Sequence, residues 1–457
     1  MKVPTAVEEG SGLPEDIHHA YSFEILNTVS FTLAIGLPKL LFLKHLGATA
    51  TVLGIAASLP ALLSILQIPA AGLVEKTGYR AFALRGWTIR SFFILGMIGV
   101  PVLSLFLAPM ASIALMLLFL VGYNVSRGLS LCAFPPWITR LVPEAFRGHF
   151  LSRQQTCNAL AACLTMLGTA LLFRGSATTG SYTLAFSISF VAAMGSLYFL
   201  RSIPDVPVAG APAAEAFAWN WKTLSANRPF FLLLVYNMVV NAAFAANNVF
   251  WMPTLRDLYH WSDTRILVLS STGYAVAMLA LWAFGRILDR VGSRPLLALS
   301  SFLLIVHFTL WAAVATGWLK PRFWNMLFLQ LASAGVSLFN LANARLLMGT
   351  VPAYARSHFF ALYNVAINLT LGLLPIAWGI ALDGLVRMHW TLAGGDFNRY
   401  SLLYATLLGI MLCSLLGLRK LQEARAMTTE AFFYELLVRT PGRAVSRFLP
   451  GGRRLLP

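Results

Sequence analysis

The sequence predicts an all-α polytopic membrane protein with twelve transmembrane helices in two six-helix bundles, and three observations carry the prediction. Of 457 residues, 58% are apolar and 11% charged, with a mean hydropathy of +0.72. A soluble domain is about 45–50% apolar and about 25% charged, so this chain lacks the polar side chains to cover its own surface. The apolar residues gather in runs of the length a helix needs to cross hydrocarbon, about 20 residues. Twelve such runs follow one another, separated by short charged or Pro/Gly-bearing stretches.

Taken in order, span 1 lies near 22–44 and stops at Lys44 and His45, and span 2 lies near 50–73 and stops at Glu75 and Lys76. Span 3 (87–108) ends against Pro109, span 4 (111–139) at Arg140, span 5 (153–173) at Arg174 and span 6 (181–201) at Arg201. The longest connection follows, about 202–228, with the small and Pro-rich stretch Pro204 to Ala214. Span 7 (229–252) closes at Pro253, span 8 (265–287) at Asp289 and Arg290, and span 9 (295–316) at Gly317. Span 10 (323–347) runs from Arg322 towards Pro352, span 11 (358–382) stops at Asp383, and span 12 (400–418) lies between Arg399 and Arg419. The expected plan is a tail (1–21), an N-terminal bundle (22–201), a linker (202–228), a C-terminal bundle (229–418) and a basic tail (419–457).

The net charge of +17 has a membrane explanation. With both termini on one side, that side holds 24 of the 34 Lys and Arg residues. The positive-inside rule then places both termini in the cytoplasm, with the basic excess facing anionic headgroups rather than nucleic acid. The compact loops fit a bacterial inner membrane. The first twenty residues hold Glu8, Glu9, Glu15 and Asp16 and lack the basic start and cleavage site of a secretory signal. Residues 419–457 surround Phe432, Phe433, Leu436 and Leu437 with basic residues, a pattern open to an interfacial helix or a solvated tail. Cys132, Cys157, Cys163 and Cys413 lie inside spans without metal-ligand spacing, and read as small buried hydrophobes. No cofactor is expected.

Two internal repeats mark a duplicated unit. Val142-Pro143-x-x-x-Arg147-x-His149-Phe150 after span 4 returns as Val351-Pro352-x-x-x-Arg356-x-His358-Phe359 after span 10, 209 residues later. Ala71-x-x-x-Glu75-Lys76-x-Gly78-x-Arg80 after span 2 returns as Gly285-x-x-x-Asp289-Arg290-x-Gly292-x-Arg294 after span 8, 214 residues later. Gly285 suits close helix approach, and Gly78 and Gly292 suit a tight turn.

On these residues the sequence resembles the major facilitator superfamily, whose signature loop is this string of glycine, acid, base, glycine and base. The first copy departs from it at Ala71 and Glu75. The resemblance covers essentially the whole chain and implies alternating access by two rocking halves. It also implies that Glu75, Lys76, Arg80, Asp289, Arg290 and Arg294 brace the cytoplasmic side when the cavity opens outward. In that fold spans 1, 4, 7 and 10, with parts of 2, 5, 8 and 11, line the cavity, and spans 3, 6, 9 and 12 lie outside.

Polar residues on the lining spans are therefore the substrate-path candidates. Asn237, Asn241 and Asn248 share one face of span 7, joined by Asn27 on span 1, Asn124 on span 4, Asn340 and Asn343 on span 10, and Asn364 and Asn368 on span 11. Interhelical packing is the alternative use of each amide. Arg127 reads as the only basic residue near the middle of a span and marks either an anion contact or a local hydrogen-bond network. Lys39 is expected to snorkel to an outer helix end. Tyr236, Trp251 and Trp282 suit stacking on a flat ligand or interfacial anchoring. No Asp or Glu falls at mid-depth, so a coupling proton or cation would have to use Glu24 or Asp383 at span ends; His307 sits on a peripheral span and reads as a packing residue.

The leading functional reading is a secondary carrier, expected to be monomeric, that moves a small polar solute: a sugar, a nucleoside or a weakly anionic metabolite. Multidrug efflux is the alternative within transport, and a non-transporting carrier-like sensor is the alternative outside it. An enzyme is not expected: no H-E-x-x-H site, Gly-x-Ser-x-Gly nucleophile or phosphate-binding Gly-x-x-x-x-Gly-Lys-Ser/Thr loop occurs in the sequence.

Overall fold

The computed structural model describes residues 17–142, 144–174, 177–206, 227–284, 292–351, 356–392 and 394–421. The N-terminal tail to residue 16, residues 207–226 of the linker and the basic tail from 422 lie outside the described residues, as do the readings placed on them.

Twelve helices are long and apolar enough to cross a membrane. They are span 1 (Ile17–His45), span 2 (Ala50–Ala70), span 3 (Tyr79–Leu103), span 4 (Pro109–Ile138), span 5 (Arg153–Leu172) and span 6 (Thr179–Ser202). The second six are span 7 (Arg228–Tyr259), span 8 (Asp263–Ala283), span 9 (Ser293–Ala315), span 10 (Asn325–Thr350), span 11 (Phe359–Gly384) and span 12 (Arg399–Lys420). Twelve crossings return the chain to its starting side, so the connections after odd-numbered spans share the face opposite the termini, the distal face.

Two boundaries and one helix interior differ usefully from the apolar pattern. Span 3 begins at Tyr79 rather than 87, because Gly78 at φ 87° ends one helix and opens the next without a loop. Span 7 runs through Pro253 to Tyr259 instead of stopping there. Span 2 contains Pro60 and then a 3-10 turn, Ser64–Leu66.

The chain divides into two compact units: residues 1–42, 63–165 and 178–214, and residues 43–62, 166–177 and 215–457. In the first, span 1 packs on span 6, span 3 on spans 4 and 6, and span 4 on the proximal part of span 2. In the second, span 7 packs on span 12, span 9 on spans 10 and 12, and span 10 on span 8. These are the same pairings six spans apart, the packing counterpart of the sequence duplication. The second unit also takes in the distal ends of spans 1, 2 and 5.

Aromatic residues fill the terminus-side core of the first unit, where Phe23 meets Phe134 at 4.9 Å between ring centroids and Trp87 at 5.8 Å. Trp137 anchors this core by donating its indole N–H to the Pro204 carbonyl at 2.8 Å. Between spans 11 and 12 lies a hairpin that the hydropathy pattern does not predict: β1 (His389–Leu392) pairs antiparallel with β2 (Gly395–Asn398), and Gly394 at φ 74° makes the turn. The hairpin docks on the end of span 9, with Asp396 N–H donating to the Thr316 carbonyl at 2.9 Å and Asn398 Nδ2 to the Ala315 carbonyl at 2.8 Å. Asn398 also forms a capping box with Ser401 at the start of span 12.

Candidate solute path and distal charge network

An asparagine inside a membrane helix must find partners for its amide, and its own helix offers the carbonyl four residues back. Four candidates use it: Asn124 Nδ2 donates to Leu120, Asn237 to Leu233, Asn241 to Asn237 and Asn368 to Asn364, at 2.8–2.9 Å. What then distinguishes them is the free oxygen. Asn237 is fully buried, and its Oδ1 accepts from the Tyr363 hydroxyl at 2.9 Å, which in turn accepts from Asn343 Nδ2 at 2.6 Å. Spans 7, 10 and 11 are thereby tied through one tyrosine, and Asn237 and Asn343 are packing groups in this conformation. Asn241 and Asn368 are half-buried, while Asn248, Asn340 and Asn364 are exposed. The span 7 stripe is therefore divided: it is sealed at Asn237 and open at Asn248.

The open end faces a cavity of about 320 Å³ within the C-terminal half. Its polar lining comes from Asn247, Asn248, Ser270, Gln330, Ser333 and Ser337, and its aromatic lining from Trp251, Tyr274 and Trp311. His307 of span 9 lines it too, with Nδ1 at 3.0 Å from the Leu329 carbonyl and Nε2 at 3.2 Å from Asn247 Oδ1. Span 9 thus reaches this cavity through a histidine that is buried and bonded between helices, beside Ala332, Ser333 and Ser337 of span 10. Among the aromatic candidates, Trp251 lines the cavity. Tyr236 is 2% exposed and is spaced 3.3 Å from Ser301 Oγ, so it is a core residue rather than a stacking platform, and Trp282 is exposed at its span end.

In the N-terminal half the structure corrects two readings of charge. Arg90 falls in the middle of span 3, since that span begins at Tyr79, so Arg127 is not alone at depth. Its guanidinium donates to Asn27 Oδ1 and lies 4.3 Å over the Trp87 ring and 5.8 Å from the Tyr123 ring. Arg90 is 4% exposed, and Lys39, expected to snorkel, is 2% exposed. Arg127 is half-buried, with Phe31 5.1 Å beneath its guanidinium. Glu24 is half-buried and meets Gln154 and Asn158 of span 5 and the field of Arg90. The signal for Arg90 was present in the sequence: Gly78 marks the earlier helix start. The cysteines also differ from expectation, with Cys132, Cys157 and Cys163 half-buried and Cys413 exposed; a helix face turned to lipid accepts a thiol as readily as a core does.

At the distal ends, charges meet within the second unit. Asp257, one turn beyond Pro253, takes Lys44 of span 1 at 2.9 Å, Arg399 of span 12 at 3.1 Å and the Tyr400 hydroxyl at 2.6 Å. Asp383 of span 11 caps span 2: Oδ1 accepts from Ala50 N–H at 2.9 Å, and Oδ2 from Thr51 N–H at 2.8 Å and Thr51 Oγ1–H at 2.6 Å. A carboxylate there satisfies orphan amides and complements the helix dipole. The backbones are close beside it, since a Cβ on Gly379 would stand 2.6 Å from the Ala50 carbonyl and one on Gly54 would collide with that of Pro375. Sequence reasoning found Asp383 but not Asp257, which lay beyond its estimated end of span 7.

Of the duplicated loops, Gly285, Asp289 and Arg290 lie outside the described residues, as do the side chains of Glu75, Arg147 and Arg356. Lys76 is exposed. Gly78 and Gly292 open spans 3 and 9 at φ 87° and 93°. Arg80 donates to the Arg201 carbonyl at the end of span 6, and Arg294 donates to the Arg419 carbonyl at the end of span 12 at 3.4 Å. The two copies make the same bond, each inside its own half.

The comparisons with known proteins agree with this geometry. The fold is similar to a mutant of the nucleoside transporter NupG at 15% identity, with a TM-score of 0.66 over 89% of this chain and 100% of that one. It is similar to a bacterial homologue of the iron transporter ferroportin in its inward-facing state, at 14% identity and a TM-score of 0.67 over 90% and 99% of the two chains. It is also similar to the inward-open xylose transporter XylE from E. coli, at 14% identity and a TM-score of 0.65 over 90% and 97%. No curated protein matches the sequence. A family model described as Major Facilitator Superfamily matches residues 22–375. Twelve spans with repeated packing, a duplicated loop making the same bond twice and that match lead to one assignment: the chain belongs to the major facilitator superfamily and is a multi-pass membrane transporter rather than an enzyme.

Proposed function

We propose that this transporter is a secondary carrier that moves a small polar solute by alternating access, with both termini in the cytoplasm and the distal face outside the cell. The C-terminal cavity is the observation that carries the reading. Its volume of about 320 Å³ is within the range of small-ligand sites, and its lining sets amides and hydroxyls among aliphatic and aromatic side chains. Asn248 offers a donor and an acceptor to hydroxyl or amide groups, Asn247 and Gln330 offer the capacity left by their bonds to His307, Leu269 and Ser333, and Trp251 and Trp311 offer flat apolar faces to a sugar or nucleoside body.

Access from the distal face is governed, in this reading, by the Asp257 cluster and the Asp383 cap. In the described conformation they hold the distal ends of spans 1 and 2 against spans 7, 11 and 12. Opening that side requires these bonds to break, so they act as a latch that can exist in one state and be absent in the other.

Counterflow in proteoliposomes tests the proposal. Preloaded unlabelled solute is expected to accelerate entry of labelled solute for a hydroxylated polar compound, and Asn248→Ala and Gln330→Ala are each expected to raise the half-saturating concentration about 10-fold through a lost hydrogen bond in a desolvated site. Unchanged affinity in both variants would remove the cavity from the path. Stabilisation by lipophilic cations alone, with no counterflow of polar solutes, would transfer the case to multidrug efflux.

A further inference from the structure

We propose that His307 decides which end of the Asn247 amide a solute meets, so that a proton on its ring changes the group accepted beside Asn247 from a hydrogen-bond donor to an acceptor. The inference deepens the reading of the C-terminal cavity as the solute site and rests on it for the claim that a solute meets Asn247 there.

The imidazole of His307 is buried and held at both nitrogens, with Nδ1 3.0 Å from the Leu329 carbonyl and Nε2 3.2 Å from Asn247 Oδ1. A backbone carbonyl only accepts, so Nδ1 carries a proton in every state that keeps this contact. Nε2 then holds either a second proton or a lone pair. With a second proton it donates to Asn247 Oδ1, and the amide NH2 is turned away from the ring. With a lone pair it faces an oxygen with no proton between them. A half-turn of the amide repairs that contact, bringing Nδ2 to the ring and swinging Oδ1 away. The opposite tautomer gives no relief, because it sets the Nδ1 lone pair against the Leu329 carbonyl. The proton count of the ring and the orientation of the amide are therefore one variable.

Asn247 is half-buried and lines the cavity, so the end of its amide that the ring does not hold is the end left to a solute. Its neighbours in the lining are already directed. Gln330 Nε2 donates to the Leu269 carbonyl at 3.0 Å, Ser333 Oγ to Gln330 Oε1 at 3.2 Å and Ser337 Oγ to the Ser333 carbonyl at 2.9 Å. The charge of the ring has no rival close by: the described lining contains no Asp, Glu, Lys or Arg, and its other titratable side chain is Tyr274 of span 8. From span 12, Tyr404 reaches this level by stacking on Trp311 at 5.1 Å. Charges on the surrounding spans stand towards their ends. Asp257 is about 15 Å along span 7 from Asn247, Arg294 about 20 Å along span 9 from His307 and Arg345 about 24 Å along span 10 from Leu329. Asp263 of span 8 pairs with Arg256, and Arg399 of span 12 with Asp257.

With the neutral ring the cavity meets Asn247 Oδ1, which suits a hydroxyl or amino group on the solute. With the protonated ring it meets Asn247 Nδ2, which suits a carbonyl or carboxylate. By the reciprocity of linkage, an acceptor-bearing solute and the proton bind together, and a donor-bearing solute and the proton oppose one another. His307 is in this sense a positioning residue, acting on the solute through Asn247.

Two measurements on the purified full-length protein test the proposal. The first needs no solute: nitrogen NMR of the histidine-labelled protein, with the His307 signals identified by their loss in His307→Gln. At pH 7.5 the ring is expected to carry its proton on Nδ1 alone, and by pH 4.5 to gain a second on Nε2. A proton on Nε2 alone at pH 7.5, or a ring unchanged between the two pH values, overturns the proposal. The second is calorimetric titration at both pH values with myo-inositol against its 2-keto analogue and adenosine against inosine, pairs in which a donor gives way to an acceptor at one position. The ratio of donor affinity to acceptor affinity is expected to fall about 10-fold in at least one pair between pH 7.5 and pH 4.5, the effect of one exchanged hydrogen bond. It is expected to be independent of pH in His307→Gln and in Asn247→Leu; the latter decides the matter if the former fails to fold. A ratio that moves as far in Asn247→Leu as in the wild type overturns the route through the amide. Binding with one ratio at both pH values overturns the selector and leaves the carrier reading standing, whereas no binding by any of the four overturns the cavity as a site for these solutes and the selector with it.

Discussion

Tyr363 makes the residue-scale lesson plain. The sequence identifies the asparagines by composition and spacing, yet it does not reveal that one phenol bonds to two of them. Asn237 and Asn343 use Tyr363 as a shared partner and are sealed by it, while Asn248 on the same helix remains open. Such a pairing depends on three spans meeting at one depth, information that helical periodicity does not contain. Tyr363→Phe is expected to leave two buried amide groups short of a partner at about 1–3 kcal/mol, read as a lower Tm with unchanged solute preference. A change in preference without loss of Tm would place Tyr363 in the path instead. Arg90 was legible in principle, since a glycine able to take φ 87° stands immediately before Tyr79. Its burial beneath a tryptophan was not.

At the scale of elements, hydropathy located all twelve spans to within a few residues at most ends, because the cost of unsatisfied backbone in hydrocarbon leaves long helices as the available solution. It missed what polar residues build. The hairpin at 389–398 is too short for a period to register, and the latch joins residues 213 apart in the case of Lys44 and Asp257. The pairing of spans 2 and 11 yields two predictions. Asp383→Asn keeps the size of the cap but loses its charge, and hydrogen bonds to charged groups contribute about 1.5–3 kcal/mol. It is expected to raise the labelling rate of a cysteine placed at Ala50, which is buried in this conformation, by an impermeant reagent about 10-fold or more, and an unchanged rate would remove Asp383 from the latch. Gly54→Leu acts on the same contact through volume: its side chain cannot share space with the Pro375 carbonyl, so labelling at Ala50 should rise there too. Agreement between a charge change and a volume change would identify the helix contact itself as the thing that opens.

For the whole molecule, the duplication read from two short strings extends to packing and to single bonds, since Arg80 and Arg294 reach equivalent carbonyls. The orientation rests on charge: the terminus side carries most of the cations, and tags at both ends are expected to be reached by antibodies only after the membrane is permeabilised. Labelling of either tag on intact cells would reverse the sidedness of every step proposed above. The docked hairpin bears on the mechanics of the latch. Arg399 follows directly on Asn398, which is fastened to span 9 through Ala315 and to span 12 through its capping box. One jaw of the clasp around Asp257 therefore stands on a braced mount, while Lys44 sits on the last turn of span 1 at the end of a long aliphatic stem. Force applied to the clasp is absorbed by the compliant jaw, so release should begin at Lys44, with Arg399 keeping its hold on Asp257 as the other side lets go.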